Sequence, residues 1–224
     1  MAITTCTDES ARRYASALGG NTAVRTLIPG RDSGPPDVLL KGVSGLLVAG
    51  NADVGGGGHG AGEGPAAEHG RQKMELGLLA SALDRDMPVL ALSRGMQLLN
   101  LAFGGQPLIE VPSHGTDPDD GDARSARHMV YLSPGSKLAA ILGMGGFFRV
   151  NSRHRLGVKE GRKSPRLLAS AYGLDDGVIE GLESPEHDWV VGVQCCPERQ
   201  NEVPPAFKNL FIAFTERAER LECE

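Results

Sequence analysis

The chain has 224 residues, 40% hydrophobic and 23% charged, with a formal net charge of -5. That size and balance suit one folded domain with a substantial core, spanning residues 1–224. The negative charge, with no basic stripe interleaved with aromatics, argues against a nucleic-acid surface. No apolar run approaches the roughly 20 residues that a membrane-spanning helix needs. Residues 1–6 lack the basic start and long apolar region of a secretory leader, so a cytoplasmic chain is expected.

Residues 2–6 read as a short strand, 10–18 as a helix closed by Gly19 and Gly20, and 22–28 as a strand stopped by Pro29. A loop and a short apolar piece fill 31–40. Residues 43–49, VSGLLVA, are a nearly continuous apolar strand of the kind that a sheet covered on both faces requires. A glycine-rich loop follows, with the run Gly55 to Gly58, and then a helix over 66–86.

An apolar run from Pro88 ends abruptly at Ser93, followed by Gly95 and a helical pattern that stops at Gly104 and Gly105. This is how a strand delivers a side chain onto a tight turn, with the N-terminus of the next helix aimed at whatever binds there. Ser93 is therefore the candidate nucleophile.

Beyond it, 108–111 reads as a short strand, 113–127 as a polar surface loop, 128–132 as a strand and 137–142 as a short helix. Strands at 147–151, 167–172 and 178–183 follow, the last two forming a hairpin around Asp175, Asp176 and Gly177. A buried strand at 189–194 leads to Cys195, Cys196, Pro197 and Glu198, and a helix closes the chain over about 205–221. Alternating βα units with an antiparallel portion imply an α/β fold.

Cys6, Cys195, Cys196 and Cys223 follow no disulfide spacing and are expected to be reduced thiols. Cys195, Cys196 and His154 lack the paired spacing of a metal site, and neither a metal nor a cofactor is expected. His59, His69, His114 and His187 read as solvated residues without a role. Glu75 reads as a structural helix residue.

Several segments, in one order along the chain, resemble the class I glutamine amidotransferase-like superfamily, and within it the gamma-glutamyl-gamma-aminobutyrate hydrolase (peptidase C26-type) branch. They are the glycine turn at 46–54, the helix segment RQKME at 71–75 and the elbow PVLALSRGMQLLN at 88–100. VNSRHRL at 150–156, DGVIE at 176–180 and GVQCCPE at 192–198 complete the set. The resemblance implies a flavodoxin-like, doubly wound and largely parallel sheet, with helices on both faces and a small antiparallel hairpin portion. It also implies a Cys-His-Glu triad, in which cysteine attacks a gamma-glutamyl amide to give a thioester while backbone N–H groups hold the oxyanion.

By that resemblance the nucleophile position holds Ser93, the base position Cys196 and the orienting acid Glu198. The oxyanion and substrate wall falls to Gly50, Asn51, Arg94, Gln97, His128 and His154. Asn51 stands where the family has a second glycine, and Arg155 and Leu156 stand where it has His and Gln. Serine depends on a base more than cysteine does, and a protonated thiol near pKa 8.5 is a poor one. Four readings stay open: a non-catalytic relative that binds a ligand, a protein partner or a second copy of itself as a homodimer; a repurposed enzyme acting on a small metabolite in the elbow pocket; a slow serine-dependent amidase or esterase; and an α/β-hydrolase-like elbow with Asp175 or Asp176 and His187. The last leaves the segments at 150–156 and 192–198 without a purpose.

Overall fold

The computed structural model describes residues 1–19, 22–50, 65–115 and 125–223. Its elements, in chain order, are β1 (Ala2–Thr4), α1 (Asp8–Ala17), β2 (Arg25–Leu27), α2 (Pro36–Leu39), β3 (Leu46–Val48) and α3 (Pro65–Leu83). Then come β4 (Val89–Leu92), α4 (Arg94–Ala102), β5 (Ile109–Glu110), β6 (Ala126–Leu132), α5 (Lys137–Leu142) and β7 (Gly146–Ser152). β8 (Leu156–Gly157), β9 (Leu168–Gly173), β10 (Ile179–Glu183), β11 (Val190–Val193) and α6 (Lys208–Cys223) complete the chain.

Local chemistry sets several boundaries. Thr7 caps α1, its hydroxyl accepting from the Ser10 N–H at 3.2 Å, and Asp8 and Glu9 sit in the positive first turn. The helix therefore starts two residues before the expected 10–18. Ser136 caps α5 in the same way, and Gly143 ends it in the left-handed conformation. Pro36 opens α2 at the first helical position, where its missing N–H costs nothing, so the apolar end of 31–40 is helical.

A nine-stranded sheet runs in the order β2-β1-β3-β4-β11-β10-β9-β6-β7. The ladders joining β2, β1, β3, β4 and β11 are parallel, and those joining β11, β10, β9, β6 and β7 are antiparallel. The fold class is the expected one, a mixed α/β sheet of the flavodoxin type with helices on both faces. The antiparallel portion is larger than one hairpin, because β6 and β7 extend the β9–β10 pair to the sheet edge.

Side chains alternate between two cores, as a pleated strand requires. Leu47, Leu90, Leu92, Val191 and Val193 face one core with Tyr14 and Leu18 at the α1 end, Leu138 and Leu142 of α5, and Phe211 and Phe214 of α6. Leu46, Val48, Val89, Ala91 and Val190 face the other, with Leu78 and Leu79 of α3 and Leu98 and Leu99 of α4. Burial on both faces explains why the central strands read as unbroken apolar runs. Among the described residues no helix is long and apolar enough to cross a membrane.

α4 sits hard against β3. A Cβ on Gly95 would lie 2.1 Å from the Val48 carbonyl oxygen, which is backbone and has nowhere to go. Gly95→Ala is therefore expected to destabilise the chain by about 3 kcal/mol in urea unfolding. Gly104→Ala, at an open helix end, has only its left-handed backbone to strain and should cost visibly less.

Candidate functional site

Ser93 lies between β4 and α4 with φ 51° and ψ -107°, and among the described residues only it and Asp86 hold a positive φ without being glycine. A serine pays for that conformation, so its neighbours must hold it there. Its N–H donates to the Val193 carbonyl at 2.7 Å, and its own carbonyl accepts from Met96 at 3.0 Å and Gln97 at 3.3 Å. The side chain is half-buried. Gly50 presses on it from the end of β3: a Cβ there would stand 2.6 Å from the Ser93 Cβ. The Gly50 carbonyl accepts the Tyr14 hydroxyl at 2.6 Å, which anchors this turn to α1. Asn51 and His59 lie outside the described residues, as does the glycine run.

The two side chains that follow Ser93 on α4 have defined partners. Arg94 is fully buried, its Nε donating to Glu75 Oε2 at 3.0 Å and its Nη1 lying 2.7 Å from Glu68 Oε1. Arg71 takes the other Glu75 oxygen at 3.1 Å. Glu75 thus joins two guanidinium groups between α3 and α4, the structural duty the sequence suggested. Gln97 donates to the Leu156 carbonyl at 3.0 Å and so ties α4 to the segment after β7.

Because β4 and β11 pair in parallel with Leu92 opposite Val193, Ser93 and the turn carrying Cys196 and Glu198 leave the sheet at the same edge. Asn151 of β7 holds that turn in both directions. Its amide donates to the Cys196 carbonyl and its oxygen accepts the Cys196 N–H, each at 2.9 Å. The amide also donates to Glu202 at 3.0 Å. Burial, reinforced by Glu198, pushes the Cys196 thiol well above its usual range. Burial likewise lifts the Glu198 carboxyl to about 7. Its Oε2 is buried with no hydrogen-bond partner among the described residues. Burial, then Glu198 and Cys196, raise the Tyr14 hydroxyl. Tyr14 gave no sequence signal beyond helical spacing.

A second polar cluster was not expected. His114 is not a solvated loop residue: it is 3% exposed, in a short 3-10 turn at Pro112–His114. The polar composition around it concealed this. Its Nε2 lies 2.9 Å from Asp176 Oδ2 and its Nδ1 3.1 Å from His154 Nε2. His154 Nδ1 lies 2.9 Å from the Leu156 carbonyl. A carbonyl only accepts, so the His154 Nδ1 that meets Leu156 donates to it.

Glu180 of β10 faces this pair and His128 of β6. Its Oε1 lies 3.3 Å from His128 Nε2, 3.4 Å from His114 Nδ1 and 3.7 Å from His154 Nε2. Burial alone would raise its carboxyl, but His114, His128 and His154 outweigh that and hold it at about 2. Burial would likewise lower His114, and Glu180 with Asp176 overcomes it and raises the imidazole. His69 is exposed as expected, whereas His187 is half-buried, 2.8 Å from the Ser184 hydroxyl and edge-on to Phe103. Cys6, Cys195 and Cys196 are free thiols.

Comparison with known proteins agrees with this fold. The family model Peptidase C26 matches residues 2–198. A "putative glutamine amidotransferase" of Mycobacterium tuberculosis is 33% identical over 211 residues, covering 91% of this chain and 66% of the relative. Gamma-glutamyl-gamma-aminobutyrate hydrolase of Escherichia coli is 33% identical over 161 residues, covering 68% of this chain and 62% of the relative. The chain therefore spans less than two thirds of the length of each of these relatives. A crystal structure of a glutamine amidotransferase from Thermotoga maritima superposes with a TM-score of 0.62 at 14% identity, over 100% of this chain and 85% of that one.

Two outcomes follow from the charges. Glu75→Leu removes the carboxylate that two buried guanidinium groups share and is expected to cost about 3–5 kcal/mol in chemical unfolding. Glu198 releases its proton near 4.5 when unfolded and near 7 when folded, so the folded state holds a proton the unfolded state has lost, and stability falls as pH rises through that window. Glu198→Gln should leave the melting temperature unchanged below this window and raise it by several degrees above it.

Proposed function

The chain belongs to the peptidase C26 family, and from that premise we propose a glutamine amidotransferase-like domain whose elbow receives a small gamma-glutamyl or amide-bearing metabolite without hydrolysing it in the ordinary way. The observation that carries this reading is the chemistry of Cys196. Where the family resemblance puts a histidine base, this chain has a thiol that burial and Glu198 keep protonated.

A serine nucleophile needs its proton removed as it attacks, and a protonated thiol does not take it. Glu198 cannot make up the difference from its own position in the triad. It orients and polarises a base, and its elevated proton affinity matters only when a base stands between it and the hydroxyl. In this reading Ser93 marks the point of attack. The backbone N–H groups around Gly50 and Arg94 supply the oxyanion donors, and Gln97, His128 and His154 support the wall of the pocket. The substrate class rests on the name of the Escherichia coli relative and on the segments shared with its branch.

Loss of a triad member leaves roughly 10³–10⁴-fold catalysis over water. Purified chain given glutamine or a gamma-glutamyl anilide is therefore expected to turn over far more slowly than about 1 per second. Turnover at that rate, abolished in Ser93→Ala, would overturn the reading. The double change Ser93→Cys with Cys196→His is expected to raise hydrolysis by about 100-fold or more, since a general base contributes that much.

A further inference from the structure

The geometry points to a divalent-metal site of the zinc type formed by His114, His154 and Glu180, with His128 as the fourth group. Three observations carry it. First, one ligand atom from each of His114, His154 and Glu180 lies within 4.8 Å of the others, and all three residues are buried. The separations of 3.1 Å between the two rings, and of 3.3, 3.4 and 3.7 Å from His128, His114 and His154 to Glu180 Oε1, bracket the edge of a small coordination polyhedron. Ligands at about 2.1 Å from a shared centre stand about 3.4 Å apart in a tetrahedron and about 3.0 Å apart in an octahedron.

Second, the carboxylate is short of donors. Glu180 is 4% exposed, and both of its oxygens, with His128 Nε2, are buried without a hydrogen-bond partner. The imidazoles stand at ion-pair distance from Oε1 but are not aimed as hydrogen-bond donors to it. The histidines offset the charge of this carboxylate, while its oxygens keep a hydrogen-bonding capacity that a cation among the four groups would take up.

Third, the outer atoms are already arranged. His114 Nε2 is held by Asp176, whose other oxygen accepts the Val178 N–H at 3.0 Å. His154 Nδ1 is held by the Leu156 carbonyl, which Gln97 also engages. Carboxylate and carbonyl partners on the far ring nitrogen fix the tautomer and rotation of metal-binding histidines. The remaining nitrogens, His114 Nδ1 and His154 Nε2, are the two that face Glu180. Imidazole with one carboxylate selects a borderline first-row ion over calcium or magnesium. Such an ion would pin four separate pieces of chain: the 3-10 turn, β6, the segment after β7, and β10. It would steady the Leu156 wall beside α4 and stands independently of whether the elbow hydrolyses anything.

The test uses the tag-free chain, treated with chelator and then titrated with Co²⁺ and, separately, Zn²⁺. The expected result is one ion per chain by elemental analysis, visible d–d absorption from bound Co²⁺ that Zn²⁺ removes, and a higher melting temperature in the loaded form. Glu180→Gln should weaken Co²⁺ binding at least tenfold, while His69→Ala, on the exposed face of α3, should leave it unchanged. Should Glu180→Gln fail to fold, His128→Gln and the wild-type Co²⁺ spectrum decide. A wild-type chain that binds no stoichiometric metal, or metal binding that survives both substitutions, overturns the site.

Discussion

The contact between α4 and β3 governs the arrangement around Ser93. Because the Val48 carbonyl fills the space where a side chain at position 95 would project, α4 can run close under the sheet edge. Beside this contact Ser93, at the N-terminus of α4, holds a positive φ. The strain is local, and the anchors are hydrogen bonds to Val193, Met96 and Gln97 together with the press of Gly50. A nucleophile elbow therefore exists here as a consequence of backbone packing, whatever chemistry the residue on it performs.

Three polar assemblies hold the rest of the site in place, and they differ in how complete they are. Glu75 with Arg71 and Arg94 is a buried network in which the two carboxylate oxygens each meet a guanidinium nitrogen. It locks α3 to α4, and buried pairs of this kind fix geometry more than they add net stability. Asn151 does the equivalent for the turn after β11 with two backbone hydrogen bonds to Cys196. The histidine cluster at Glu180 is different, since its charges balance while its hydrogen-bonding capacity is left over. Groups with unspent capacity are where a ligand gains most.

Elements with a strong local cause were legible in the sequence. α5 was expected at 137–142 and occurs there, because Ser136 caps it and Gly143 stops it. The elbow was legible from one serine between an apolar run and a glycine. The start of α1 and the short α2 were not, since a cap at Thr7 and a proline at a helix start compete with loop readings of the same residues. His114 was missed for a related reason. Its neighbours are polar, so composition assigns it to solvent, and only β6, β10 and the segment after β7 closing around it make it a core residue.

The sequence by itself determined the fold class and the position of the strand-to-helix elbow at Ser93. Both follow from local patterning: strand and helix periods, a glycine where backbones touch, and motif order along the chain. Only the tertiary structure decided which groups share a dielectric environment. It placed Cys196 and Glu198 where burial raises both, and it gathered three histidines from separate elements onto one carboxylate that burial would otherwise have neutralised. Proton affinity and ligand capacity depend on what surrounds an atom within a few ångströms in space, and distance along the chain does not encode that.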